Sequence, residues 1–267
     1  MKRPDSVGVR IERQGAIAIV LLDRPPLNLL TQEIRRVLGD VFLALADDAS
    51  VRAVVLAGAS ENFCGGADMK EFPLRFDSVV AREHGLNGQR MTLALLGFPQ
   101  PTIAAIEGTC YGGGYELALS CDFRVAASSS RVGLPEIRRG VWPGTGGIPL
   151  LSRLIGPSAA KRFILEGEMI SAEAARIAGM VDQLAERGRA LETAVAWAGA
   201  LSKGPAHAAR TVKKLADEEW IASMRGYFRR EIEAYVACYQ SEDAREGNRA
   251  FFEKREPIWR HTFGEHS

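Results

Sequence analysis

Two glutamates, Glu116 and Glu136, stand just past small-residue or proline punctuation that ends a short apolar run. Glu116 follows Gly112-Gly113-Gly114-Tyr115, and Glu136 follows Leu134-Pro135, twenty positions further along. Carboxyl groups are suited to general acid–base work, and a glycine-rich strand-to-helix junction leaves backbone N–H groups unpaired and open to a ligand. If Gly113 lies in the first turn of a helix, Glu116 is three residues on and shares its face. A free N–H and a carboxylate then point into one space. A second junction of this kind is Phe63-Cys64-Gly65-Gly66-Ala67-Asp68-Met69-Lys70, after the apolar run that ends at Ala57. Taken singly, each segment has an ordinary explanation. The glycines serve as turn and cap residues, Glu116 complements a helix dipole for about 0.3–1 kcal/mol, and Glu136 is a solvated acid at a helix start.

Other chemistries lack their motifs. Gly58-Ala59-Ser60-Glu61-Asn62 is the nearest approach to a nucleophile elbow and ends in asparagine where glycine is needed. No lysine follows a glycine, which removes the Walker loop, and the runs opening at Gly112 and Gly144 reach Leu117 and Pro149 where a dinucleotide fingerprint needs glycine. His84, His207, His261 and His266 are scattered without metal-site spacing. Cys64, Cys110, Cys121 and Cys238 form no C-x-x-C pair and sit among apolar or small residues, the pattern of reduced core thiols. With 34 Lys and Arg against 33 Asp and Glu, the chain lacks the basic surplus of a nucleic-acid binder but has room for a local basic pocket. Met1–Asp5 is followed by no apolar stretch suited to a signal peptide, and the longest apolar run, Ala16–Leu22, is far short of the ~20 residues a membrane helix needs. A cytoplasmic protein is the expectation.

The elements that must hold these segments can be read from periodicity. Val7, Val9 and Ile11 alternate with polar residues, Gln14-Gly15 turns, and Ile17, Ile19 and Leu21 resume the alternation, which is a β-hairpin. Ile34, Val37, Leu38, Val41 and Leu45 fall at helical spacing. Arg52–Ala57, Thr102–Ile106 and Phe123–Ala127 are short buried strands, and Arg131–Leu134 is a further extended piece. Beyond Gly144 the chain reads as helices over 150–155, 158–165, 172–178, 191–201 and 206–216. A charged stretch from Asp217 to Arg255 then carries only Gly226 and Gly247 as breakers. At 267 residues and 46% hydrophobic, this is an α/β core, residues 1–204, followed by a helical subdomain, residues 205–267.

Taken in this order and spacing, the segments resemble the enoyl-CoA hydratase/isomerase (crotonase) superfamily along nearly the whole chain. The resemblance is carried by Arg52–Gly58 with Phe63–Glu71, by Ile103–Gly108 with Gly112–Asp122, and by Pro135-Glu136 with Gly140 and Pro143–Gly147. It continues through Ser171–Ala175, Gly179–Asp182 and Phe252–Arg255. It implies a spiral of repeated ββα units with C-terminal helices for oligomerisation that also cover the site. It also implies an acyl-CoA substrate with no metal or further cofactor, and a homotrimer or dimer of trimers. The amides of Ala67 and Gly113 would form the oxyanion hole. Glu116 would activate and orient a water, and Glu136 would exchange a proton at Cα and help hold that water. Asp68, Met69, Lys70 and Gly112 would line the CoA-ester site, Trp142 would narrow the acyl pocket, and Phe251 with Lys254 would meet the CoA end of a neighbouring subunit.

Two glutamates favour reversible hydration of a 2-enoyl-CoA. The alternatives are double-bond isomerisation, dehydration of a specialised carnitinyl or alicyclic thioester, and, more remotely, a non-catalytic binding protein of the same fold. Several stretches depart from the family. Pro25-Pro26-Leu27-Asn28 has no basic residue, and Gly147-Ile148-Pro149-Leu150 replaces a commoner polar run and is expected behind Glu136. Phe72–Phe76 reads as an acyl-pocket wall or a helix-breaking loop. The stripe Ile232, Tyr235, Val236 and Tyr239 reads as either a subunit contact or a core face.

Overall fold

The computed structural model describes residues 7–260; Met1–Asp5, His261 and His266 lie outside them. The chain opens with β1 (Val9–Gln14) and β2 (Ile17–Leu22), an antiparallel hairpin in which Gln14 faces Ile17 across the turn. Next come α1 (Gln32–Ala46) and β3 (Ala53–Gly58), then a 3-10 helix (Met69–Phe76) leading into α2 (Ser78–Leu96). The middle of the chain holds β4 (Thr102–Ile106), β5 (Thr109–Tyr111), α3 (Gly113–Leu119), β6 (Phe123–Ala127) and β7 (Arg131–Gly133). A second 3-10 helix (Pro135–Arg139) precedes α4 (Gly147–Ile155), α5 (Pro157–Glu166), β8 (Met169–Ser171), α6 (Ala172–Ile177) and β9 (Gln183–Ala185). The chain finishes with α7 (Ala190–Ser202), α8 (Ala206–Gln240) and α9 (Glu242–Glu253).

Two sheets result. The larger runs β1-β2-β3-β4-β6-β9, parallel from β2 onward, and the smaller runs β5-β7-β8. Alternate residues of β2 explain why the large sheet needs cover on both faces. Ala18, Val20 and Leu22 join the main core with Ile34, Leu38 and Phe42 of α1, while Ile17, Ile19 and Leu21 pack with Ala194 and Ala198 of α7. Strands buried on both faces read as continuous apolar runs. The α1 helix starts where Thr31 Oγ1 accepts from the Ile34 amide at 3.2 Å, an N-cap of the usual hydroxyl type.

Three expectations sharpen against this architecture. The helix anticipated over 206–216 continues through Gly226 to Gln240. The segment Phe72–Phe76 is part of a 3-10 helix that buries Phe72. Of the two readings of the α8 stripe, the core one holds in this chain. Ile232, Tyr235 and Tyr239 are buried, and a Cβ on Gly85 of α2 would stand 2.6 Å from Ile232 Cδ1 and 3.2 Å from the Tyr235 ring. All four cysteines are free; Cys64, Cys110 and Cys121 are buried. No described helix is long and apolar enough to cross a membrane.

Candidate active site

The small sheet gathers the three sequence segments. β5 and β7 are parallel neighbours with Tyr111 opposite Gly133, and each leads at once into a helix, α3 bearing Glu116 and the second 3-10 helix bearing Glu136. The Phe63–Ala67 segment joins on the other side of β5, through a parallel bridge between Cys64 and Cys110 and bonds Cys64 N–H to Thr109 O and Tyr111 N–H to Cys64 O. Three segments therefore end side by side, at the carboxyl ends of parallel strands where ligands of α/β proteins collect.

Backbone geometry leaves two amides over. Leu30 gives its N–H to Gly66 O and its C=O to Asp68 N–H, so the amide of Ala67 between them points the other way. Gly113 is the first residue of α3, where an intrahelical acceptor is absent by geometry. Neither N–H has an acceptor among the described residues. They belong to one locality, because a Cβ on Gly66 would stand 3.8 Å from the Gly113 nitrogen. Glycine is required at 114, where a Cβ would meet Cys64 O at 2.5 Å. At Gly112 the requirement is conformational as well: φ is +53°, and a Cβ would lie 2.9 Å from Glu136 Oε1.

The two glutamates meet opposite surroundings. Glu116 is buried and fully engaged. Its Oε1 accepts from the Thr145 and Gly147 amides at 2.8 and 2.9 Å, and its Oε2 accepts from the Thr145 hydroxyl at 2.6 Å. The Thr145 loop is itself anchored, since Thr92 Oγ1 of α2 donates to Thr145 O at 2.9 Å. The Gly146 N–H donates to Glu231 Oε1 of α8 at 3.2 Å, and Gln89 donates to Glu231 Oε2 at 2.8 Å. Glu136 Oε2, in contrast, is buried with no hydrogen-bond partner among the described residues. Burial first, and then the neighbouring Glu116 carboxylate, pushes the Glu136 carboxyl well above the usual carboxylate range, against opposing pulls from its own backbone amide and from Arg35. The Gly147–Leu150 departure meets Glu116 through the Gly147 amide.

The other singled-out residues spread outward from this centre. Asp68 is buried and committed to its own chain, accepting from the Lys70 amide at 3.0 Å and pairing with Arg24 at 2.9 Å. Met69 is half-buried against the Phe72–Tyr239 cluster, and Lys70 is exposed. Trp142 is half-buried edge-on to Tyr235, ring centres 6.3 Å apart. Phe251 lies under the Arg139 guanidinium at 4.4 Å, which docks α9 on the 3-10 helix of Glu136, and Lys254 is exposed at the end of α9.

Sequence reasoning placed Thr145 within the Pro143–Gly147 motif without a role, and missed Arg35, Arg75, His84, Gln89 and Glu231 as parts of this neighbourhood. Arg35 had a signal: it is three and seven residues before Leu38 and Phe42, a charge on the apolar face of α1. The rest had none, because their partners are distant in sequence. A groove of about 860 Å³ lies elsewhere, lined by Gln14, Ile17, Leu191 and Val195 among others, and holds no site residue.

Comparison with known proteins agrees with this architecture. The family model described as enoyl-CoA hydratase/isomerase matches residues 12–262. The short-chain-enoyl-CoA hydratase of Clostridium acetobutylicum is 33% identical over 249 residues, 92% of this chain and 95% of that one. The crotonyl-CoA hydratase of Syntrophomonas wolfei is 34% identical over 248 residues, with 92% and 95% covered. Among solved structures, carnitinyl-CoA hydratase from Mycobacterium avium superposes with a TM-score of 0.84 at 32% identity, covering 94% of this chain and 98% of that one.

Proposed function

Since this chain belongs to the enoyl-CoA hydratase/isomerase (crotonase) superfamily, we propose that it is an enoyl-CoA hydratase, adding water reversibly to a 2-enoyl-CoA to give the 3-hydroxyacyl-CoA. The observation that carries the reading is the pair of glutamates, one held by three donors and one with a buried Oε2 that has no partner among the described residues, beside two unpaired amides.

In this reading the thioester oxygen accepts from the Ala67 and Gly113 amides. As water adds at Cβ the carbonyl becomes an enolate, and the two N–H groups act on the charge as it develops; loss of one such donor costs about 2.7–4 kcal/mol of barrier. Glu116 takes the proton of the attacking water, its carboxylate aimed by Thr145 and Gly147. Glu136 keeps its proton near neutral pH because its carboxyl is pushed up, and it delivers that proton to Cα. The pair then exchanges one proton to reset. Activity accordingly falls as pH rises through the raised Glu136 ionisation, where the acid form is lost.

CoA is read as lying along Ala67–Lys70 with Lys70 near its phosphates. Residues 205–267 are read as an assembly region, forming a trimer or dimer of trimers in the cytoplasm and bringing Phe251 and Lys254 to a neighbour's CoA. Val212, Leu215, Phe252 and Ile258, all more than half exposed, support an interface there.

Incubation with 2-enoyl-CoA and 3-enoyl-CoA thioesters, following the conjugated enoyl absorbance, tests the reading. The expected result is hydration of the 2-enoyl esters, lost by at least about two orders of magnitude in Glu116→Gln and in Glu136→Gln. Turnover of 3-enoyl esters alone replaces the hydratase reading with isomerase.

A further inference from the structure

Arg35, Arg75 and His84 converge from α1, the first 3-10 helix and α2, and their residues are 3%, 2% and 3% exposed. Buried guanidinium groups ordinarily lie against carboxylates. Here Arg75 gives Nη1 to the Tyr239 hydroxyl at 2.8 Å and lies 5.4 Å from the centre of that ring. Its Nε and Nη2, together with Arg35 Nε and Nη1 and His84 Nε2, are buried without a hydrogen-bond partner among the described residues. His84 Nδ1 stands 3.5 Å from the Tyr235 hydroxyl, and its Nε2 stands 3.7 Å from Glu71 Oε2. Burial first, then the Arg75 and Arg35 charges, hold this imidazole neutral. Two acids face the group: Glu136, on which the Arg35 charge acts, and Glu71, whose Oε2 also accepts from the Gln32 amide at 2.9 Å. With the Glu136 carboxyl protonated, two fixed positive charges against the Glu71 carboxylate leave the cluster net cationic.

Its position links it to the acyl group. A Cβ on Gly113 would stand 2.7 Å from Arg35 Nη2, and one on Gly88 would stand 3.3 Å from Arg35 Nη1. The Arg35 guanidinium therefore borders the amide assigned to the thioester oxygen, and Arg75 lies against Phe72 and Tyr239, the latter packed on the Tyr235 that meets Trp142. A hydrocarbon chain entering here covers unpaired donors and returns nothing to them. A carboxylate supplies two acceptor oxygens in the planar geometry that a guanidinium fork matches. We propose that Arg35 and Arg75 form an acyl-end subsite, and that the substrate is a 2-enoyl-CoA whose short acyl chain ends in a carboxylate, the monothioester of a dicarboxylic acid. This rests on the hydratase reading for the placement of the thioester. It disfavours a cationic acyl group such as a trimethylammonium-bearing one, which two guanidinium charges repel.

Calorimetric titration with adipyl-CoA and hexanoyl-CoA tests the subsite without turnover, because these saturated esters cannot be hydrated. The wild-type protein is expected to bind adipyl-CoA about tenfold or more tightly than hexanoyl-CoA. The preference is expected to shrink to about threefold or less in Arg35→Met and Arg75→Met, and to be partly kept in Arg35→Lys. Equal binding by the wild type, or tighter binding of hexanoyl-CoA or of a trimethylammonium acyl-CoA, overturns the inference whatever the variants do. A kinetic arm compares the 2-enoyl thioesters of adipic and hexanoic acids. Preferential hydration of the hexanoic ester overturns the subsite and leaves the hydratase intact. Preferential binding of adipyl-CoA with hydration of neither ester supports the subsite and removes the hydratase.

Discussion

Glu116 follows the last residue of β5 by five positions and Glu136 follows the last residue of β7 by three, yet the two carboxyls differ in almost every contact. Glu116 accepts three hydrogen bonds from one loop, two from backbone amides and one from a hydroxyl. Glu136 has a buried oxygen with no partner and a carboxyl pushed up by burial and by Glu116 itself. One side-chain type thus meets two environments: donors engage both oxygens of one carboxylate, while burial and a neighbouring charge favour the protonated form of the other. Glu231 provides a third case, buried on α8 and pushed up to about 8 mainly by burial although Gln89 and the Gly146 amide bond to it. Donors alone therefore do not outweigh desolvation.

The largest expected effect separates the two roles directly. In D2O, exchange of the Cα protons of a saturated acyl-CoA, followed by proton NMR, should fall by at least about two orders of magnitude in Glu136→Gln. In Glu116→Gln it should slow less than about tenfold; equal losses would erase the division of labour.

Crowding each carboxylate in turn is the next comparison. A Cβ at Gly147 would stand 2.9 Å from Glu116 Oε1 and 2.7 Å from Pro143 Cβ, and one at Gly112 would stand 2.9 Å from Glu136 Oε1. Both alanine variants should lose about tenfold or more in kcat, and Gly112→Ala should also melt earlier, because its positive φ adds about 1–3 kcal/mol of strain. A Gly112→Ala protein with wild-type kcat would detach Glu136 from the chemistry.

Thr145→Val removes the hydroxyl at 2.6 Å from Glu116 Oε2 while its amide bond remains. A hydrogen bond to a charged group contributes about 1.5–3 kcal/mol, so kcat should fall about tenfold with KM little changed, and Thr145→Ser should restore it. A shift in KM alone would make Thr145 a packing residue.

The smallest effect is on stability. Glu231 ionises near 4.5 in its ordinary state and at about 8 when folded, so between these values the folded chain holds a proton that the unfolded chain has lost. Stability then decreases as pH rises across that window and levels off above it. Glu231→Gln should flatten the pH dependence of the melting temperature by the slope of one proton, leaving the same-signed contribution of Glu136. An unchanged slope would mean that Glu231 titrates normally.

Much of the catalytic side was legible in the chain. The strand-to-helix junctions at 63–70 and 112–116, and Pro135-Glu136, are local signals, and β5 pairing with β7 brings them to one edge. The shell of distant partners around these segments was opaque. Arg75 meets Tyr239 across 164 positions and Gln89 meets Glu231 across 142, with no local pattern to mark either pair. The stripe on α8 was readable as apolar, but its burial depended on α2, a helix whose low amphipathic contrast hides it and whose glycines accept Ile232 and Tyr235.

The sequence by itself determined which groups are present and their spacing: two glutamates, the small residues that free two amides, and a helical C-terminal region. Tertiary structure alone decided what each group experiences. Donors, desolvation and neighbouring charge come from residues far away along the chain, and these interactions depend on distance in space. Thr145 and Gly147 hold Glu116, burial favours the protonated form of Glu136, and α1 and the first 3-10 helix bury two guanidinium groups that each keep nitrogens without a partner among the described residues.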